Sequence, residues 1–140
     1  MRGDGVLNAF FYSRLKYGLH LEGLQPSDYT FVYLLGLLRD PLRVDMEQTL
    51  FDMYKKAMTS VDHGTRFESF RCLGDASLFM AGIFQDYVDR TLVGKEYYVA
   101  MGRLGYMNAA GMAKGGMSPA LKELSNDFIR FIDAFSHVRS

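Results

Sequence analysis

Leu73-Gly74-Asp75-Ala76-Ser77-Leu78-Phe79-Met80-Ala81-Gly82-Ile83-Phe84 is apolar or small on nearly every side when wound as a helix. A helix of that kind is enclosed by others rather than laid on a surface. No proline falls between Arg66 and Met112, so nothing covalent stops the helix on either side of the stretch. The fold expected is therefore all-α: a compact bundle of about six helices around a buried central helix near residues 66–92. A lone carboxylate, Asp75, lies inside that helix.

Working outward, Thr65-Arg66-Phe67-Glu68 reads as a capping box that starts the central helix. Before it, residues 45–60 carry Met46, Leu50, Met53, Tyr54 and Ala57 on one face. Asp45-Met46-Glu47-Gln48 would cap that helix, and His63-Gly64 would stop it. Pro26-Ser27-Asp28 opens an earlier helix whose stripe is Phe31, Leu34, Leu35 and Leu38, widened by Val32, Tyr33 and Leu37. Asp40-Pro41 ends it. Residues 6–17 form the first periodic segment, with Leu7, Phe10, Phe11 and Leu15 expected to face inward. Gly18 and Gly23 then punctuate the chain, leaving His20-Leu21-Glu22 between them as a connector.

After the central helix, Gly94 breaks the chain and residues 96–110 form a fifth helix. Tyr98, Met101, Leu104 or Gly105, and Asn108 share one of its faces. A glycine-rich link from Gly111 to Met117 leads to a last helix that Ser118-Pro119 caps. Leu121, Leu124, Phe128, Ile129, Ile132 and Phe135 should face inward there. No long alternating run or hairpin turn signals a strand, and no repeat of fixed period is present.

At 140 residues the chain suits one helical domain, 1–140, able to close a core without staples. Hydrophobic residues make up 49% and charged residues 23%, which excludes disorder. Sixteen basic residues balance sixteen acidic ones, in each half as well as overall, so no basic excess invites nucleic acid. The single cysteine, Cys72, forbids an intrachain disulfide and suits a reducing, cytoplasmic setting; its apolar neighbours make it a buried small hydrophobe. Arg14 and Lys16 interrupt the first apolar run, so no signal peptide is expected, and no stretch is long enough for a membrane span.

Chemistry-bearing groups are few. Gly74, Ser77 or Ala76, Ala81 and Gly82 in the fourth helix, and Gly102, Gly105 and Ala109 in the fifth, are small residues at helical spacing. Each interior glycine costs about 1 kcal/mol of helix propensity, and close helix packing is the usual offset. Asp75 stands four residues after Arg71, the spacing of a helical ion pair; alternatively it orients a ligand or handles a proton. Tyr97, Tyr98, Met101 and Tyr106 are the aromatic and Met groups able to line a pocket or receive a helix, and Arg103 can neutralise an acid, with Glu96 a ready partner. His20, His63 and His137 are scattered and lack ligand spacing, so no metal or other cofactor is expected. Phosphate-loop and nucleophilic-triad patterns are missing too.

Through Leu73-Gly74-Asp75-x-Ser77-Leu78-Phe79-x-x-Gly82-x-Phe84, followed by Tyr97-Tyr98-x-x-Met101-Gly102 and Tyr106, the chain resembles a family of bacterial hypothetical proteins. Tyr33-Leu34-Leu35-x-Leu37-Leu38 resembles that family's earlier helical motif. The resemblance implies a compact helical fold and draws attention to Gly74, Asp75 and the Tyr97-to-Tyr106 segment. It implies no activity.

The excess of aromatic and Met residues (11 Phe, 9 Tyr, 9 Met) over catalytic groups points to a non-enzymatic interaction or scaffold module that is homodimeric or holds a protein partner. The alternative is a bundle that binds a small apolar molecule near Asp75, Tyr98 and Met101, with Arg71 or Arg103 fixing its polar end. An enzyme using Asp75 as acid or base comes third.

Overall fold

The computed structural model describes residues 2–40 and 49–139. Among them are eight helices and no strand: α1 (Arg2–Leu21), α2 (Asp28–Arg39), α3 (Leu50–Thr59), α4 (His63–Ile83), α5 (Gln85–Arg90), α6 (Gly94–Met112), α7 (Met117–Asn126) and α8 (Phe128–Arg139). The chain is an all-α bundle.

α4 is its axle. It packs most extensively on α6, then on α3 and α8, and it touches α2 and α5. Every residue from Leu73 to Phe79 is buried, so this stretch of the helix has no polar side. Small residues let its neighbours come close. A Cβ on Gly74 would collide with the Tyr106 ring, and one on Gly105 would sit 2.6 Å from the Phe70 carbonyl oxygen and 2.7 Å from the Gly74 nitrogen. α4 and α6 thus meet backbone to backbone, and that contact offsets the helix propensity their glycines forgo. On the other side Gly82 receives Phe135 of α8, where a Cβ would lie 2.5 Å from the Phe135 Cβ.

Several boundaries differ from the sequence expectation. α4 begins at His63, ahead of Thr65, because Asp62 caps it: its carboxylate accepts the Thr65 N–H at 2.8 Å and the Thr65 hydroxyl at 2.9 Å. These bonds hold the Asp62 carboxyl below its ordinary pKa. His63-Gly64 therefore opens α4 instead of stopping α3, which Thr49 caps and Ser60 ends. The expected capping box at Asp45 to Gln48, the inward Met46 and the stop at Pro41 lie outside the described residues. The central helix stops at Ile83, short of residue 92. Phe84 leaves helical geometry (φ −113°, ψ 50°) and α5 starts in a new direction. The last helix is likewise split at Asp127 into α7 and α8.

α1 runs through Gly18 and takes in His20 and Leu21. Gly18 is there for contact, since a Cβ would strike the Ala134 carbonyl of α8. Gly23 does end the helix: its φ of 68° is left-handed, and the Leu24 N–H reaches back to the Leu19 carbonyl at 2.9 Å. Leu15 is fully buried as expected, but Leu7 and Phe10 stand half in solvent, as does Ile129 of α8. In α6 the buried face is Gly102, Gly105, Tyr106, Ala109 and Ala110, and Asn108 is exposed. The small residues, not the Tyr98–Met101–Asn108 line, mark the inward side. Among the described residues no helix is long and apolar enough to cross a membrane.

Candidate functional site

Asp75 is 2% exposed and sits where α4 faces α2 and α6. A carboxylate that deep would cost several kcal/mol unless bonded. Side chains from three helices bond it. Tyr33 of α2 and Tyr106 of α6 each donate a phenolic O–H to Oδ1 at 2.7 Å, and Arg71, one turn back on α4, donates to Oδ2 at 2.9 Å. Arg71 also reaches the Tyr33 hydroxyl at 3.3 Å and holds Glu68 through two donors, at 2.6 and 3.3 Å. The polar chain therefore runs from the exposed Glu68 through Arg71 and Asp75 to the wholly buried Tyr106.

The charges respond accordingly. Burial, followed by the negative charge of Asp75, pushes both the Tyr33 and the Tyr106 phenols well above their ordinary pKa, so both stay protonated donors. Burial acts against the Arg71 guanidinium, but its bonds to Glu68 and the attraction of Asp75 outweigh that and hold its pKa above the usual value. The Tyr33 and Tyr106 rings meet edge to face with centroids 6.5 Å apart, and Tyr106 also touches Phe128. The cluster is a set of satisfied, interlocked donors and acceptors.

Of the residues singled out by sequence, Arg71, Asp75 and Tyr106 come together here. Tyr97 and Tyr98 do not join them: they stand edge to face at 6.1 Å, half-buried, near the start of α6. Burial raises both phenols above their ordinary pKa, with Tyr87 adding to the effect at Tyr98. Met101 is half-buried and Arg103 exposed, and no ion pair joins Arg103 to Glu96 or another described residue. Sequence reasoning misses two members, Tyr33 and Glu68. Glu68 lies three residues before Arg71, a spacing that flags a helical ion pair. Tyr33 is 42 positions from Asp75, and nothing local marks it.

Four of the surface depressions are lined by described residues, and Asp75, Tyr98 and Met101 are not in the lining of these four. One, about 520 Å³ between α3 and α4, is walled by Met53, Lys56, Glu68 and Cys72. Cys72 is thus half-buried on a groove wall, where a buried small hydrophobe was expected. The hydroxyl of Ser77 is buried and has no hydrogen-bond partner among the described residues. Among the described residues no three His, Cys, Asp or Glu side chains gather to hold a metal ion.

No protein-family model, no curated protein and no solved structure matches this chain.

Proposed function

We propose that the chain is a non-enzymatic helical interaction module that pairs with a second copy of itself through the outer face of α1. The observation that carries this reading is an uncovered apolar stripe. Val6, Phe10, Tyr17 and Leu21 recur at four-, seven- and four-residue steps along one side of α1, and each is exposed. The stripe is about 22 Å long at ~1.5 Å per residue, enough for a helix–helix seam. Leu7 borders it, and the Arg14 guanidinium lies 5.2 Å from the Phe10 ring centroid, the kind of aromatic–arginine surface enriched at interfaces.

The buried cluster supports the same reading. Its carboxylate is closed in by two phenols and a guanidinium, an arrangement suited to locking three helices together rather than to passing a proton. Overall charge is balanced, so two copies meet without net repulsion.

Sedimentation velocity at micromolar concentration tests the proposal. A dimer that Phe10→Asp converts to a monomer of unchanged helicity is the expected result. A strictly monomeric parent chain, together with no partner recovered by pull-down, would overturn it.

A further inference from the structure

A second surface of α1, roughly a third of a turn from the stripe, faces α2 across a groove of about 480 Å³. That is within the size range of small-molecule sites. Its floor is apolar: Leu19 and Leu24 are both buried. Its aromatic wall is the edge-to-face pair of Tyr12 from α1 and Phe31 from α2, 5.2 Å apart.

Both banks are braced from behind. Behind α1, the Gly18 Cα abuts the Ala134 carbonyl, Arg130 donates to the Glu22 carbonyl at 2.6 Å, and His137 meets the Glu22 carboxylate at 3.0 Å. Behind α2, the buried Thr30 hydroxyl donates to Glu123 of α7 at 2.6 Å, and Tyr33 is tied to Asp75. A groove held open this way needs little reorganisation to receive a guest.

The rim supplies polarity. On the α1 bank stand Lys16 and His20, one turn apart on the same side; on the α2 bank stands Asp28. The Lys16 ammonium lies 5.5 Å from the Tyr12 ring centroid, above the aromatic wall, and makes no ion pair among the described residues. The cation, Lys16, stands on the α1 bank with the His20 ring one turn along it, and the carboxylate, Asp28, stands on the opposite bank, so an anionic group of a guest is placed on the α1 side.

We infer that the α1–α2 groove binds a small aromatic monocarboxylate, its ring against Tyr12 and Phe31 over the leucine floor and its carboxylate on Lys16. This site shares no residue with the self-association stripe, so the two stand or fall separately.

The test is a titration of the isotope-labelled full chain, followed by NMR, with 3-phenylpropionate as probe and 3-phenylpropylamine and 3-phenylpropanol as comparators. Saturable shifts at Leu19, Leu24 and Phe31 are expected for the acid, with the amine and the alcohol weaker. Lys16→Ala, an exposed change that leaves the melting temperature in place, should weaken the acid about tenfold, the scale of one charge-assisted contact. Absence of saturation at millimolar acid, equal binding of acid and amine, or an unaltered titration of the Lys16→Ala chain would each overturn the inference.

Discussion

α1 and α4 are nearly equal in length, 20 and 21 residues, and both carry glycines, yet the bundle treats them in opposite ways. α4 is wrapped on all sides from Leu73 to Phe79 and has its one deep charge answered by donors from α2, α4 and α6. α1 is gripped on one side by α8 and α2, while its other side leaves Val6, Phe10, Tyr17 and Leu21 in water. The difference teaches that hydrophobic content alone does not place a helix. What places it is whether small residues let neighbours approach from several directions. α4 has Gly74, Ala76, Ala81 and Gly82 distributed around its circumference, whereas among the described glycines of α1 Gly18 makes a close approach and Gly5 does not.

The sharpest way to break the contrast is at Asp75. Asp75→Ala takes the shared acceptor away from two phenols and leaves Arg71 paired with Glu68 alone, and should destabilise the fold by about 2–4 kcal/mol in denaturant melts. A loss under about 1 kcal/mol would mean that water reaches the cluster and α4 is not sealed. Gly82→Leu comes next, expected to cost about 1–3 kcal/mol or more by forcing Phe135 away; an unchanged melting temperature would refute the α4–α8 contact.

Alkali probes the same seal without mutation. The Tyr33 and Tyr106 phenols ionise near pH 10.0 when unfolded but only at higher pH when folded. Above that pH the unfolded chain loses protons that the native chain keeps, so stability is intact below pH 10 and falls as pH rises beyond it. The slope is up to about 1.4 kcal/mol per pH unit for each phenol. Tyr106→Phe should flatten the alkaline limb measured in urea melts; an identical slope would mean that Tyr106 titrates freely. Smallest is Gly5→Ala on open α1, where a Cβ meets nothing within 4 Å. It should stabilise by up to about 1 kcal/mol. Destabilisation there would show that α1 is covered at that end.

Much of α4 is legible from residues alone. Its all-round apolar run, the Arg71–Asp75 spacing and the small-residue steps in α6 each follow from a 3.6-residue period that sequence displays directly. What sequence conceals depends on more than one segment. Phe84 bends the chain with no local residue preference to announce it, whereas Asn126-Asp127 is a cap signal hidden inside an apolar period that runs on through it. Tyr33 lies in a stripe that reads as plain core, because its partner carboxylate is contributed by another helix. Leu7 and Phe10 are misplaced for a related reason: periodicity reports that a face is apolar, not that anything has come to cover it.

The two hydroxyls sharing one Asp75 oxygen have a practical consequence for chemical footprinting. Tyr12, Tyr17, Tyr29 and Tyr87 are open to nitrating reagents, whereas Tyr106 is fully enclosed and its oxygen is engaged. Label on the first four reports only the surface. Label on Tyr106 requires α2, α4 and α6 to part, so the rate at which it accumulates is a clock for how often the whole molecule comes undone.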